Sequence, residues 1–266
     1  RVATLEDLLG APLFTRGPKS LVLTATGKEY LAQVSAALGL LAAMPLYQRT
    51  AQRTQRLRVS SPPTFARQIL VPQLEDFTRA QPGIELEVVL SIPYLDHDGG
   101  DADIQVQFGP SAGEAAARGA QVLMHDRVLP LAAPALLQRL APLKVPADLA
   151  RAPLLRTPLE PWAPWFAAAG LGWPEPAQGP KLVDLGLTLE AAVSGQGVAL
   201  ARPTLARHWL ATGTLLPLFA LSAVPTHQYL LMPHAPQGVA SLFAQWLVAV
   251  CEQAEAEAAA LLSRSA

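Results

Sequence analysis

At Leu57 the hydrophobic rhythm of the chain changes, and that change limits what it can become. Before it, Leu31, Val34, Leu38 and Leu41 recur at alternating steps of three and four, which lays one apolar seam along a helix for a second helix to cover. After it, short β-prone runs alternate with helical patterns, the sign of α/β layers with mainly parallel sheets. The transition needs a connector. Pro45, which lacks a backbone N–H, falls in the rhythm of the seam and should kink or end that helix, and the polar stretch Gln48 to Gln55 reads as a linker.

Charge divides at the same place. Up to Arg58 there are eight basic and three acidic residues, a net +5, and because the whole chain carries −1 the remainder carries −6. A basic end on an acidic body suits a protein whose one end meets phosphates, although a solvated basic face would give the same count. With 51% hydrophobic and 15% charged residues over 266 positions, the chain can bury a sizeable core, and no apolar run is long enough to span a bilayer. It opens on Arg1, with no basic segment followed by an apolar core and a cleavage site, so the N-terminus reads as truncated and the compartment as cytoplasm. The single cysteine, Cys251, lies in an apolar helical pattern and is expected to be a core thiol, with no disulfide or thiolate metal cage available.

Along the first stretch, Val2, Leu5, Leu8 and Leu9 fit a helix ending at Gly10. Residues 12–14 and 21–23 read as two short strands around a Gly17-Pro18 turn, and Thr24 can cap the helix that carries the seam. Helix, hairpin, helix is the second half of a winged helix-turn-helix. In the body, strands are expected at Leu57 to Ser60, Ile84 to Leu90, Ala102 to Phe108, Val128 to Ala132, Leu182-Val183, Val198 to Leu200 and Tyr229 to Met232. Helices are expected from Pro62-Pro63, a short one at Pro134, then after Asp184 and from about Pro203, with a long closing helix carrying Val239, Leu242, Phe243, Trp246, Leu247 and Val250.

The residues Leu5-Glu6, Leu9-Gly10, Leu13-Phe14, Arg16, Leu23-Thr24 and Gly27 resemble the LysR-type transcriptional regulator pattern LE..LG..LF.R......LT..G. The likeness continues through LVPQLEDF at Leu70 to Phe77, ADIQVQFG at Ala102 to Gly109 and AAVSGQGVAL at Ala191 to Leu200, and it is nearest to the branch related to the glycine-cleavage activator and the β-lactamase regulator. The resemblance implies a partial winged helix-turn-helix over 1–23, a linker and dimerisation helix with a hinge over 24–56, and a two-lobed periplasmic-binding-protein-like type 2 effector domain. Lobe one would comprise 57–127 and 224–266, and lobe two 128–223. The first half of the DNA-binding domain would be absent, and the position of Pro45 departs from the family's usual linker helix.

By that resemblance the partners are double-stranded promoter DNA, a small-molecule effector and the chain itself as dimer or tetramer, with RNA polymerase a further candidate. Leu31, Val34, Leu38 and Leu41 would pair subunits. Arg1, Thr4, Arg16 and Lys19 are the DNA-contact candidates, the last two as phosphate or minor-groove contacts beside the wing, with an ion pair to Glu6 or Asp7 the alternative for Arg16. The effector would lie between the lobes, where helix starts and strand ends meet. Its expected contacts are Ser61, Thr64, Phe65, Ser91, Ile92, Gln107, Phe108, Ala132, Arg156, Trp162 and Asp184. Arg156 could hold a carboxylate with two parallel hydrogen bonds, or form a surface ion pair instead, so the expected effector is a small carboxylate. For Ser61 and Thr64, helix capping competes with effector contact, and Trp162 with Trp165 could stack on a ring or pack within a lobe.

Enzyme chemistry finds little support. His97, His125, His208, His227 and His234 show no metal-binding spacing, there is no GxSxG elbow, and Asp101 with Asp103 flank a strand start where capping explains them. No cofactor or metal is expected. The rival from another class is a two-lobed solute-binding protein, which shares the fold but not the basic winged end.

Overall fold

The computed structural model describes residues 2–16, 21–43, 55–92, 101–110 and 119–265. Arg1, Lys19, Pro45, most of the linker and His97 lie outside them, as do the side chains of Arg16 and Leu41. The chain forms two compact units, Arg1–Arg53 and Thr54–Ala266.

In the first unit, helix α1 (Val2–Leu9) ends at Gly10, whose φ of 66° is the left-handed turn that glycine adopts without penalty. Strands β1 (Phe14–Arg16) and β2 (Leu21–Leu23) form an antiparallel hairpin, with Phe14 opposite Leu23 and Arg16 opposite Leu21. Helix α2 (Ala25–Ala43) follows. Its start explains the sequence motif physically. The Glu6 carboxylate accepts the backbone N–H groups of Leu13 at 2.6 Å and Phe14 at 3.0 Å, tying the hairpin to α1. Thr24 accepts the Gly27 N–H at 2.9 Å as the helix cap, and its hydroxyl donates to the Pro12 carbonyl at 2.8 Å. Gly27 is buried, and a Cβ there would lie 2.1 Å from the Leu13 carbonyl oxygen, so no side chain is tolerated. Leu31 and Leu38 are 53% and 59% exposed, and Val34 is half-buried, so this unit does not cover its own seam.

The second unit contains two sheets. Five strands lie in the order β4-β3-β5-β10-β6, namely β3 (Gln55–Ser61), β4 (Ile84–Leu90), β5 (Ile104–Pro110), β6 (Gln121–Val122) and β10 (His227–Leu231). The pairs β3–β4 and β3–β5 are parallel, whereas β10 is antiparallel to β5 and β6. Three strands form the other sheet in the order β8-β7-β9, with β7 (Leu129–Ala132) antiparallel to both β8 (Ala199–Ala201) and β9 (Leu216–Pro217). Parallel bridges at Leu154 to Val198 and Arg156 to Lys181 border it. The expectation of mainly parallel sheets is corrected: β10, which returns to the larger sheet, and β7, the first strand after the outgoing crossing, each run antiparallel to both of their neighbours. Both two-residue strands escaped the sequence reading because neither is long enough to show alternation.

Helix α3 (Pro63–Phe65) opens with proline in its first turn and runs through a π turn (Ala66–Leu70) and a 3₁₀ turn (Val71–Gln73) into α4 (Leu74–Ala80). Four further helices are α5 (Pro134–Leu137), α6 (Ala163–Ala168), α7 (Leu185–Val193) and α8 (Pro203–Ala211). The closing helix α9 spans Gly238–Ser265. One apolar core joins Leu57, Val59 and Ile104 of the larger sheet to Phe65, Ile69 and Phe77 and to Phe243 and Leu247 of α9, with the Phe77 and Phe243 rings 5.0 Å apart, and it continues to Leu131 and Leu205. Trp162, Trp165 and Phe166 centre a second core under the smaller sheet. Cys251 is buried in the first, where burial pushes its thiol up to about 12, so it is a packing residue. Among the described residues no helix is long and apolar enough to cross a membrane.

Gly27→Ala should loosen the winged unit by about 1–3 kcal/mol, because the clash with backbone outweighs the roughly 1 kcal/mol by which Ala favours helix. Faster hydrogen exchange of the α2 amides in the variant is the expected result, and unchanged protection would show that the Leu13 carbonyl can move aside.

Candidate functional site

Two segments carry the chain between the sheets, one through Asp126 and one through Ala223 to Gln228. They are hydrogen-bonded to each other at Val128 and Ala223, each N–H donating to the other's carbonyl at 2.9 Å. Beside this hinge lies the most buried charge cluster among the described residues. Arg202, immediately before α8, is 1% exposed. Its Nε donates to Glu160 at 2.7 Å, its other nitrogens reach the His227 carbonyl at 2.7 Å and Gln228 at 3.2 Å, and Asp126 lies 3.8 Å away. The guanidinium also lies over the rings of Phe108, at 5.0 Å, and Tyr229, at 5.6 Å. Thr204 donates its hydroxyl to Asp126 at 2.7 Å.

One guanidinium thus faces two buried carboxylates and cannot neutralise both. Burial pushes Asp126 up to about 6 and Glu160 up to about 7, against the pull of Arg202. Nearby, burial and then Arg202 lower His227 below its ordinary value.

In front of this hinge, between the sheets, is a cavity of about 260 Å³. Thr64, from the start of α3, and Asp184, which precedes α7, meet across it. The Thr64 hydroxyl donates to Asp184 Oδ2 at 3.0 Å and accepts the Gly186 N–H at 2.8 Å. Asp184 Oδ1 accepts the Leu187 N–H at 2.9 Å, capping α7. A Cβ on Gly186 would lie 2.9 Å from Asp184 Oδ1 and 3.2 Å from Thr64 Oγ1, so this close approach requires glycine. The remaining wall is mostly apolar, including Pro62, Pro63, Leu159 and Leu187, with Arg67 as its second charged side chain.

Of the residues singled out from sequence, Thr64, Ile92, Phe108 and Asp184 line this cavity. Phe65 is buried behind it, 4.8 Å from Tyr229. Ser61 and Ala132 are fully buried, while Ser91 and Gln107 are half-buried at strand ends and strand interior without lining it. Two expectations are corrected. Arg156 donates to the carbonyls of Gly179, Pro176 and Ala177, at 2.6 Å for the shortest, so its guanidinium is occupied in pinning a loop and holds no carboxylate. Trp162 is 1% exposed, donates to the Leu155 carbonyl at 2.8 Å and stacks on Phe166, so it is core. Sequence reasoning missed Arg202, Glu160 and Arg67. The available signal was an arginine at the end of the apolar run Val198 to Ala201, and a glutamate between prolines in the Leu155 to Trp165 stretch.

A larger cavity of about 570 Å³ lies between α8 and α9. Its Arg207 is paired with Glu257 at 3.0 Å and donates to the Thr204 and Gln68 carbonyls. Both cavities are lined from the two lobes; the cleft is the candidate site because helix starts at Thr64 and Asp184 and strand ends at Ile92 and Phe108 converge on it, whereas the larger cavity lies between the flanks of helices. Among the described residues no cluster of His, Cys, Asp and Glu could hold a metal ion.

Comparison with known proteins agrees with this architecture. The profile of the LysR substrate binding domain matches residues 50–254. The chain belongs to the LysR family. Among its relatives, the glycine cleavage system transcriptional activator of Escherichia coli is 32% identical over 255 residues, covering 94% of this chain and 82% of that protein. An uncharacterized HTH-type transcriptional regulator of Sinorhizobium fredii, y4mQ, is 34% identical over 263 residues, covering 95% and 85%. The effector domain of the transcriptional regulator AmpR of Pseudomonas aeruginosa superposes with a TM-score of 0.60 at 32% identity, over 78% of this chain and 99% of that one. Full-length AphB of Vibrio cholerae, at 20% identity and a TM-score of 0.60 over 93% of this chain, shows the shared fold. This LysR-family chain is therefore related to transcriptional regulators and carries their two-lobed effector-binding domain.

The raised carboxylates fix the sign of one pH effect. A carboxyl whose folded value lies above its unfolded one contributes stability that is complete below the ordinary carboxylate range and is lost as pH rises through the folded value, here about 6 and about 7. The lowered His227 acts in the opposite sense, losing its contribution as pH falls. Comparing wild type with Glu160→Gln isolates the pair: the variant's urea midpoint should decline less between pH 5 and pH 8. Parallel pH profiles would show that the pair holds no extra proton.

Proposed function

We propose that this LysR-family protein is a DNA-binding transcription regulator, and not an enzyme, that binds duplex promoter DNA through its winged unit and answers to a small effector in the cleft. The observation that carries the reading is Thr64 and Asp184 meeting across a cavity lined from both lobes, beside the hydrogen-bonded segments that cross between them. A ligand that prefers one spacing of the lobes shifts the population of lobe arrangements by its difference in affinity. Through the subunit contacts, that shift alters how two winged units lie on DNA. The expectation of a carboxylate effector has a cation to rest on in Arg67, in place of Arg156.

The DNA end of the proposal is supported by the basic balance of the first 58 residues and by the β1–β2 hairpin, read as the wing, whose first strand includes Arg16. Arg16 and Lys19 would contact phosphate or minor groove, and Arg1 and the exposed Thr4 of α1 are the further candidates. Such contacts position the protein and leave base reading to other residues. Leu31 and Leu38, exposed on α2, with Val34 and Leu41 in the same rhythm, would join two chains, and contacts between effector units would extend a dimer to a tetramer. RNA polymerase is the further partner an activator would need.

Fluorescence anisotropy of the native full-length protein on its own upstream DNA should give an affinity whose logarithm falls linearly with log salt, with a shallower slope in Arg16→Ala. Failure to bind at any salt would return the chain to the solute-binding alternative. Leu38→Glu should shift the sedimenting species toward monomer and weaken DNA binding with it, whereas an unchanged oligomer would place the subunit contact elsewhere.

A further inference from the structure

Resting on the cleft as the effector site, we infer that the effector is a zwitterion of amino-acid size, its carboxylate held by Arg67 and its ammonium by Asp184. Among the described residues the two are the charged side chains lining the cavity, and they are opposite in sign. Arg67 is exposed on the π turn after α3 and makes no hydrogen bond or ion pair among the described residues, which leaves the guanidinium's five donors open to a ligand. Asp184 spends one acceptor position of each oxygen, on the Leu187 amide at 2.9 Å and the Thr64 hydroxyl at 3.0 Å. Since a carboxylate offers about four such positions, roughly two remain.

This arrangement discriminates by charge. The start of α7 would attract an anion, but Asp184 already occupies it, so a purely anionic ligand there meets a like charge. A purely cationic ligand pairs with Asp184 and leaves Arg67 opposing it. A molecule carrying both charges satisfies each wall, and its side chain can lie against Pro62, Pro63, Ile92, Phe108 and Leu187. Size narrows the class further. At about 260 Å³ the cavity lies below the roughly 300–1,000 Å³ typical of drug-sized ligand sites, so a free amino acid with a small or apolar side chain fits better than an oligopeptide, whose terminal charges stand further apart.

The test titrates the full chain by calorimetry with the common free amino acids, then compares the best one with its N-acetyl derivative and its decarboxylated amine. Both derivatives should bind at least about tenfold more weakly, the loss expected when one charge-assisted contact goes. Arg67→Gln should remove the advantage over the amine, and Asp184→Asn, which keeps the helix cap, should remove the advantage over the N-acetyl derivative. If the N-acetyl derivative binds as tightly as the amino acid and Thr64→Val weakens both, the cleft is the site but the zwitterion is wrong. If binding of every probe is indifferent to Thr64→Val, the cleft reading fails and takes the inference with it. If no amino acid binds, the effector belongs to another class.

Discussion

The buried guanidinium of Arg202 is the contact on which the two-lobed unit turns. It sits before α8, it binds Glu160 from the loop ahead of the tryptophan core, and it reaches the His227 carbonyl and Gln228 on the returning crossing. Asp126, on the outgoing crossing, faces it at 3.8 Å and is held by Thr204. Both crossings therefore answer to one side chain. Replacing such a group with a hydrophobic one leaves two buried carboxylates uncompensated, a loss on the order of 3–5 kcal/mol where buried pairs have been broken. Buried pairs often add little to net stability, so geometry is the stronger reason for this one: a charge network defines where the hinge sits more narrowly than apolar contacts can.

The cleft in front of the hinge is built from the same economy of short contacts. Gly186 lets its own amide reach Thr64, Thr64 reaches Asp184, and Asp184 caps α7. These bonds join segments 120 residues apart in sequence. On the proposed function, a ligand entering the cavity would act directly on that clasp and so bias the spacing of the two lobes. Phe108 links the two features, since it lines the cavity and lies 5.0 Å beneath Arg202.

Much of the architecture was legible from periodicity. The change of rhythm at Leu57 marks the boundary between the two compact units to within a few residues, and the strand at Ile84 to Leu90 was read with its observed limits. The winged motif was legible as a pattern, but its reasons were not. Glu6 holds two backbone amides and Gly27 avoids a carbonyl, and neither partner is near in sequence. The site was legible only where local signals carry it: Thr64 and Asp184 sit at helix starts, which proline and aspartate announce. Arg156 misled because a free arginine and one satisfied by three carbonyls look identical in sequence. Arg202 and Glu160 were invisible for the related reason that burial of a charge depends on a partner 42 residues away.

Hydrogen exchange of the full chain, with and without a saturating amino acid that binds it, tests the central claim that the interlobe cleft is the sensing site. Slowed exchange confined to residues 61–67 and 184–189, with a change at the Val128 and Ala223 amides of the hinge, is what this account predicts. Protection centred instead on residues 204–211 and 257–264, around the larger cavity between α8 and α9, would contradict it.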